Sequence, residues 1–321
     1  AQKDWAHVSL AGRASVLRRF IDIMRGQNED VTLELAQQMG RPVRYGGEFC
    51  SFEERANYLI DLAPSALAPS LPNDPREGVI RYVARVPVGV VFVVAPWNYP
   101  YLTAINTIIP ALMAGNGVLL KHAAQTLLVG ERFQAALDQA GLPAGLFKNL
   151  VLSHDDTAKI LASGGVDHVN FTGSVEGGRA IERAAAGTFT TCTLELGGKD
   201  PAYVRADANL EFAVENIVDG AYFNSGQCCC GIERIYVHDS LYHQFIERFT
   251  ALTSSYVLGN PLEQVTTLGP MANTRFADLV RGQTADAIAK GGKALIDPAL
   301  FAENKVGTPY LMPQAVINVD H

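Results

Sequence analysis

The sequence predicts an α/β protein with a Rossmann-like open parallel sheet domain, followed by a second α/β domain. Strand-like and helix-like stretches alternate about five times between residues 88 and 196 with short connections, which is typical of parallel sheets with right-handed crossovers. The run 88–95 is almost continuously apolar, as expected of a strand buried on both faces. The alternation restarts after Pro201, and this restart predicts the second domain.

The chain before this sheet is predicted to be mainly helical. Ser9 can cap a helix that carries an apolar face, a break at 40–42 ends the next helix, and Phe49 begins a third. The segment 64–78 holds four prolines and is predicted to be a loop. The apolar residues of Val79–Val86 then alternate with polar ones, which predicts a half-exposed strand.

Each element of the two domains follows from the period of its apolar residues. The predicted strands of the first sheet are 88–95, 117–121, 150–152, 166–171 and 190–196, and the helices between them are 103–114, 126–140, 155–162 and 174–186. The second domain is predicted to hold a helix at 210–221, a strand at 232–237 and a helix at 242–252. The pair Gly197-Gly198 is a predicted hinge between the domains.

Composition narrows the classes of function. The 321 residues are enough for about two domains, and the net charge of −7 without a basic stripe argues against nucleic acid and anionic membranes as partners. The longest apolar run, 86–96, is shorter than the ~18 residues of a membrane span. Five cysteines make a disulfide framework improbable and favour a cytoplasmic, reducing compartment, in which Cys50 and Cys192 are expected to be buried apolar residues.

Three consecutive cysteines, Cys228 to Cys230, give the strongest chemical signal. They follow a Gly-Gln turn, and Glu195 ends a predicted strand upstream, directly before two glycines. A thiol and a carboxylate in two such turns suggest a nucleophile and its general base. A buried cysteine cluster is the alternative, whereas the lack of a Cys-x-x-Cys motif or a histidine at ligand spacing predicts no metal site.

Further polar residues follow the ends of the predicted strands, where open α/β sheets bind their ligands. Asn98 carries an amide that could face an oxyanion, although a turn asparagine often satisfies its own backbone. Lys121 ends a strand and could hold a ribose or phosphate. Gly173 and Ser174 open a helix whose N-terminus could meet a phosphate, and Gly178 would let that helix pack closely; a simple capping turn is the alternative.

Taken together, these residues resemble the aldehyde dehydrogenase superfamily over essentially the whole chain. The matching motifs occur in the family's order and at family-like spacing: Pro96-Trp97-Asn98, Lys121, Phe171–Ser174 with Gly178, Glu195–Gly198, Asn224–Cys229 and Leu268–Pro270.

The resemblance implies a role for each motif. Cys229 would attack an aldehyde to give a thiohemiacetal and then a thioester, Asn98 would stabilise the oxyanion, and Glu195 would activate the water that releases the acid. The residues implied to contact the cofactor NAD are Trp97, Lys121, Gly173, Ser174, Gly178 and Leu196. A homodimer or homotetramer is implied by the resemblance alone.

The chain departs from the family pattern in two respects. Ala124 stands where many NAD-preferring members carry a ribose-binding Glu, so NADP is an alternative cofactor, and His122 follows Lys121 where Pro is common. No Glu-x-Phe-Gly-Pro motif follows Cys229, and the family's first strands do not precede Ala1. The sequence is therefore expected to be a fragment whose catalytic domain lacks its C-terminal part.

The resulting hypothesis is NAD(P)-dependent oxidation of an aldehyde to a carboxylic acid. A CoA-acylating aldehyde dehydrogenase is one alternative, which the presence of Glu195 disfavours, and an inactive truncated fragment is the other. The predicted domains are an NAD(P)-binding domain at 1–77 and 90–196, an oligomerisation strand segment at 78–89, and a catalytic domain at 197–321. The physiological aldehyde is not readable from the sequence.

Overall fold

The computed structural model describes residues 1–73 and 77–320, and its chain forms two compact units. The first unit comprises Ala1–Asn28 and Glu48–Leu196, and the second comprises Glu29–Gly47 and Gly197–His321. Glu29–Gly47 belongs to the second unit, whereas the sequence-based prediction placed this segment in the NAD(P)-binding domain. No helix in the described ranges has the length and apolarity that a bilayer crossing demands.

Four α-helices precede the first strand, and strands and helices then alternate from β1 to β5. The helices are α1 (Gln2–Ala6), α2 (Leu10–Arg25), α3 (Asn28–Met39), α4 (Phe49–Ala66), α5 (Pro100–Met113), α6 (Leu127–Gln139), α7 (His154–Ala162), α8 (Val175–Ala185), α9 (Leu210–Tyr222), α10 (Asp239–Ser254) and α11 (Thr274–Ala289). The strands are β1 (Val90–Val94), β2 (Gly117–Lys121), β3 (Phe147–Asn149), β4 (His168–Gly173), β5 (Thr191–Leu196), β6 (Asp200–Val204), β7 (Ile232–Val237), β8 (Lys293–Ala294) and β9 (Val316–Ile317). Short 3₁₀ turns occupy Val43–Tyr45, Ala124–Thr126, Phe223–Gly226 and Pro298–Leu300.

The first unit is built on a five-stranded parallel sheet in the order β3-β2-β1-β4-β5. The central strand β1 is apolar on both faces, and Phe92 is completely buried. Strand order reverses between β1 and β4, so their carboxyl ends form the topological switch point at which open α/β sheets bind ligands. The predicted Rossmann-like α/β fold is confirmed.

The helices of the first unit follow the sequence signals. The Ser9 hydroxyl caps α2 by accepting from the amide of Gly12 at 3.2 Å, as predicted. The apolar face of α2 buries Phe20, whose ring meets those of Phe52 and Phe133 with centroids 5.9 Å apart in both pairs. Three helices thus share one aromatic core, which burial of such large rings stabilises strongly.

Three predicted elements differ from the structure. Val79–Val86 forms no strand: a β ladder needs several consecutive pairs, whereas Val83 forms an isolated bridge in which it exchanges two hydrogen bonds of 3.0 and 2.9 Å with Ser70. The predicted loop 64–78 begins too early, since α4 continues through Pro64 to Ala66; its residues 74–76 lie outside the described part of the chain. The short strand predicted at 150–152 lies at Phe147–Asn149.

The second unit contains a smaller βαβ arrangement. Strands β6 and β7 are parallel and are joined by α9, and the predicted strand 232–237 and helix 242–252 appear as β7 and α10. The sequence did not predict β6, because its Pro201 is unfavourable in a strand interior; the structure accommodates the proline at a register shift next to Asp200. The core of this βαβ arrangement lies between β6, β7 and the helices α9 and α10. It includes Val204, Val218, Phe245 and Phe249.

Candidate active site

The carboxyl edge of the five-stranded sheet collects most of the predicted site residues of the first unit. β1 ends at Val94, shortly before Trp97 and Asn98, and β4 ends at Gly173, directly before Ser174. Lys121 ends β2 opposite Val94 in the register. These residues therefore flank the switch point of the sheet.

Asn98 lies in the turn between β1 and α5. Its side-chain oxygen accepts a hydrogen bond of 3.1 Å from the amide of Tyr99, and α5 begins at Pro100, where a proline is well tolerated. The sequence offered two roles for Asn98, contact with an oxyanion or a local hydrogen bond within a turn, and this bond is of the second kind. An amide carries its donors on nitrogen, so binding of an oxyanion falls to the Nδ2 group of Asn98.

Lys121 is buried at the end of β2, with only 7% of its surface exposed, and this burial lowers the pKa of its ammonium group. Its carbonyl accepts a hydrogen bond from the amide of Ala95 at 3.1 Å, which continues the β1–β2 ladder beyond Val94. The backbone of Lys121 is thus held beside the switch point, and its side chain offers hydrogen-bond donors to a polar ligand there.

His122, which the sequence flagged only as a departure from the family pattern, is a structural residue of this edge. Its Nε2 lies 3.2 Å from the carbonyl of Pro100, and its Nδ1 accepts from the amide of Ala123 at 3.0 Å. The hydroxyl of Thr126 also lies 3.0 Å from Nδ1. Desolvation lowers the pKa of His122 to about 4, so the ring is neutral and carries its proton on Nε2.

The start of α8 forms a compact capped turn. The Ser174 hydroxyl accepts from the amide of Gly177 at 3.1 Å, so the predicted capping role is present. A Cβ on Gly173 would lie 2.6 Å from the Phe171 ring, and one on Gly178 would lie 2.8 Å from Leu196. Glycine at 178 lets α8 pack closely on β5, while Gly173 leaves room for the Phe171 ring of its own strand. The positive N-terminal end of α8 lies at the switch point, a geometry that fits a dinucleotide pyrophosphate.

Glu195 and Leu196 end the edge strand β5. They pair with Thr172 and Gly173 of β4, and both side chains are exposed. Cys192 on the same strand is exposed as well, and so is Cys50 on α4. The prediction that these two cysteines are buried is therefore wrong: β5 has one neighbouring strand in the described chain, and Cys50 lies on the outer face of its helix.

The three cysteines of the second unit follow an unusual stretch of backbone. Asn224, Ser225 and Gly226 all have positive φ angles, of 53°, 59° and 71°. Left-handed backbone at two successive non-glycine residues costs free energy and persists only where surrounding contacts impose it. We call residues 224–230 the cysteine turn.

Buried side-chain amides hold the cysteine turn. The Asn224 side-chain oxygen accepts from Nε of the buried Arg41 at 3.3 Å, and its Nδ2 donates to the carbonyl of Gln227 at 3.2 Å. Gln227 in turn accepts a 2.9 Å hydrogen bond from the amide of Ala272. Both amide side chains thus link the turn to segments far away in sequence, which sequence reasoning could not find.

A close backbone contact supports the same turn. The Ser225 hydroxyl donates to the carbonyl of Gly269 at 2.8 Å. A Cβ on Gly269 would lie 1.8 Å from the carbonyl oxygen of Gly40, and one on Gly40 would lie 2.2 Å from that of Pro270. The two glycines therefore allow a close backbone contact where no side chain fits. Gly40 precedes Arg41, which binds Asn224, and Gly269 supplies the carbonyl that Ser225 binds.

The thiols themselves are close together and accessible. The sulfur atoms of Cys228 and Cys230 lie 3.3 Å apart, and all three sulfurs lie within 4.8 Å of one another. The hydrogen bond with Cys228, followed by desolvation and repulsion from the other two thiols, raises the pKa of Cys230 to about 12. Cys229 is exposed, as a nucleophile must be.

One hydrogen bond of the second unit joins the cysteine turn to the segment that follows Glu195 in sequence. The carbonyl of Cys229 accepts from the amide of Gly198 at 3.4 Å, and in the same segment Lys199 forms an ion pair with Glu233 of β7. The predicted base belongs to the first unit and the predicted nucleophile to the second.

Comparison with known proteins gives a consistent result. Residues 1–321 match the model of the aldehyde dehydrogenase family. The chain is 30% identical to a succinate semialdehyde dehydrogenase [NAD(P)+] of Escherichia coli (98% of this chain, 67% of the relative). It is 34% identical to a betaine aldehyde dehydrogenase of Agrobacterium fabrum (94% of this chain, 64% of the relative). The solved structure of PnpE in complex with nicotinamide adenine dinucleotide superposes with a TM-score of 0.90 at 30% identity, covering 98% of this chain and 65% of that one.

The chain spans about two thirds of the length of these relatives, 67% of the first and 64% of the second.

Proposed function

This chain belongs to the aldehyde dehydrogenase family, and from that premise we propose that it oxidises an aldehyde to a carboxylic acid with NAD(P)+. The observation that carries the proposal is the coexistence of Cys229, Glu195 and Asn98 in a chain that matches the family model throughout. Asn98 lies in the turn between β1 and α5, Glu195 lies near the end of β5, and Cys229 lies in the cysteine turn that precedes β7.

Cys229 is the nucleophile. Its exposed sulfur adds to the aldehyde carbonyl and forms a thiohemiacetal. The Nδ2 group of Asn98 and the backbone N–H of Cys229 stabilise the negative charge that develops on the carbonyl oxygen. The fixed cysteine turn keeps that N–H oriented, since Asn224 and Gln227 are both buried and hydrogen-bonded.

The switch point of the sheet holds the cofactor. Ser174 and the N-terminal amides of α8 bind the pyrophosphate, Lys121 contacts the adenosine ribose, and Trp97 and Leu196 lie at the adjacent strand ends. When bound, NAD(P)+ would supply the hydride acceptor that oxidation of the thiohemiacetal on Cys229 to a thioester requires. Ala124 is small and exposed, which leaves room for a 2′-phosphate, so NADP is proposed beside NAD.

Glu195 completes the reaction as general base. Its exposed carboxylate takes a proton from the water that hydrolyses the thioester, and the acid leaves Cys229 ready for another cycle. Transfer of the acyl group to coenzyme A would need no such base, so Glu195 favours the hydrolytic over the acylating reaction. The relatives' names, which cite succinate semialdehyde and betaine aldehyde, support a small aldehyde as substrate without selecting one.

Assembly and location belong to the same proposal. A homodimer or homotetramer in the cytoplasm, formed through 78–89 as the oligomerisation segment, is proposed. Val79, Ile80 and Val86 support this assignment, because all three are exposed apolar side chains that a neighbouring protomer could cover.

Initial-rate measurements test the activity. Purified protein is assayed for NAD+ and NADP+ reduction with a panel of aldehydes, beside the Cys229→Ala, Glu195→Gln and Cys50→Ser variants. The expected result is loss of turnover in Cys229→Ala, about one equivalent of reduced cofactor and then arrest in Glu195→Gln, and unchanged turnover in Cys50→Ser. A folded protein that binds the cofactor and oxidises none of the aldehydes would contradict the proposal.

A further inference from the structure

The three thiols of the cysteine turn form a compact sulfur triangle. The edge between Cys228 and Cys230 is 3.3 Å long, and no edge exceeds 4.8 Å. In a tetrahedral zinc site with Zn–S bonds of about 2.3 Å, neighbouring sulfurs are about 3.8 Å apart. That separation falls between the two observed limits, so small side-chain rotations would bring all three sulfurs onto one cation.

The surroundings of the triangle suit a soft cation. Thiolates are the ligands that such metals select over oxygen donors. Two of the thiols, those of Cys229 and Cys230, are exposed, so solvent can reach the position that three protein ligands leave open.

The backbone that carries the thiols is already fixed. Asn224 and Gln227 tie the cysteine turn to Arg41 and Ala272, and Ser225 ties it to Gly269. A ligand set on a preformed turn loses less conformational entropy on binding than one on a mobile loop. The three donors are therefore presented together before a cation arrives.

We propose that Cys228, Cys229 and Cys230 together bind one soft divalent cation of the zinc type, with water as the fourth ligand. Each coordinating thiol releases its proton to solvent. The expectation of no metal site rested on sequence spacing, and three consecutive cysteines fall outside the spacing rules used there. A consequence that rests on the proposed function is inhibition, because a cation-bound Cys229 cannot attack an aldehyde.

Equilibrium dialysis of the reduced chain against Cd²⁺ alone measures this binding, and the thiolate-to-cadmium absorption band in the ultraviolet reports its ligands. The expected result is one tightly bound Cd²⁺ per chain. The double variant Cys228→Ser/Cys230→Ser should bind more than about 100-fold more weakly, since loss of outer-shell partners alone costs up to about that factor. The matched control Cys50→Ser/Cys192→Ser, which removes two exposed thiols elsewhere, should bind like the unchanged chain.

Alkylation mapping gives a second measurement on the unchanged sequence. One equivalent of Cd²⁺ should protect Cys228, Cys229 and Cys230 from iodoacetamide and leave Cys50 and Cys192 reactive, as read by peptide mass spectrometry. Protection of Cys50 or Cys192 instead, or tight binding that survives in the Cys228→Ser/Cys230→Ser chain, would overturn the proposal. Aldehyde oxidation without tight Cd²⁺ binding would overturn this proposal alone, whereas Cd²⁺ binding at the turn without oxidation would support it and count against the proposed function.

Discussion

The carboxyl edge of the five-stranded sheet and the cysteine turn place their functional groups by different means. At the sheet edge, Asn98 accepts from the amide of Tyr99 one position away, and Ser174 accepts from the amide of Gly177 three positions away. In the cysteine turn, Asn224 and Ser225 reach residues 183 and 44 positions away. The first arrangement is local and follows from strand ends and helix caps.

The difference extends to the backbone. The edge uses regular strand ends and capped helices, whereas the cysteine turn holds three successive left-handed residues that long-range contacts must maintain. A change at the sheet edge should therefore act locally, while a change far away in sequence should disturb the cysteine turn. The following predictions test this contrast.

The largest effect is expected from Gly269→Ala. The new Cβ would lie 1.8 Å from the carbonyl oxygen of Gly40, so backbone must move against backbone, and about 3 kcal/mol or more of unfolding free energy should be lost. Urea unfolding measures the loss. The control Gly282→Ala, at an open position of α11, should be neutral or stabilise by up to about 1 kcal/mol. Equal stability of the two variants would mean that the cysteine turn does not depend on this contact.

His122 should make the sheet edge sensitive to acid. The pKa of His122 is about 4 in the folded protein, whereas an ordinary histidine, as in the unfolded chain, has a pKa of 6.5. Between pH 4 and pH 6.5 the unfolded chain therefore binds the proton more readily than the folded protein. The stability that it contributes is complete above pH 6.5 and declines as the pH falls towards 4, on the order of 3 kcal/mol in total. Urea unfolding of His122→Gln across this range should show a shallower decline, and exposed His154→Gln should match the unchanged protein. An unaltered decline in His122→Gln would refute this assignment.

Asn224→Ala should loosen the cysteine turn by a smaller amount. The change removes the acceptor for Arg41 and the donor to Gln227, and it leaves a left-handed alanine, with an expected loss of about 2 kcal/mol. Alkylation of Cys229 should also change its rate, because the turn that presents the sulfur is no longer fixed. As a comparison, Asn216→Ala removes an exposed hydrogen bond to Phe212 within α9 and should leave that rate unchanged.

The smallest effect separates capping from cofactor binding at Ser174. Ser174→Ala should cost about 1 kcal/mol through loss of the bond to Gly177, and Ser174→Asp should keep the cap while its negative charge repels a pyrophosphate. Fluorescence titration with NADH should therefore show weaker binding for the aspartate variant at unchanged stability. The parallel cap of α7 provides the control: Ser153→Ala should lose similar stability and keep its affinity for NADH. Normal affinity in Ser174→Asp would remove this helix end from the cofactor site.

The sequence correctly predicted the elements that depend on residues close together in the chain. The strand predicted at 88–95, the cap at Ser9 and the glycine-marked start of α8 all depend on residues within a few positions. The structure confirms these elements, with the strand at Val90–Val94. The strand predicted at Val79–Val86 failed because alternation defines a face but supplies no partner strand.

Non-local features escaped prediction for the same reason. Arg41 and Ala272 carry no sequence signal of their own, and the Leu268–Pro270 motif does not reveal its contact with Ser225, yet all three sites meet the cysteine turn across long separations. The exposure of Cys192 depends on how many strands flank β5, which its own residue type does not encode. The roles assigned to Cys229, Glu195 and Asn98 remain predictions that require chemical tests.

The most direct test of the account is intact-protein and peptide mass spectrometry of Glu195→Gln after incubation with an aldehyde and NAD(P)+. Without the general base, the thioester should accumulate, so the account predicts one acyl group on the peptide that contains the three cysteines, assigned by fragmentation to Cys229. The group should be absent from the chain that also carries Cys229→Ala. An acyl group on Cys228 or Cys230, or none on a folded, cofactor-binding protein, would contradict the account.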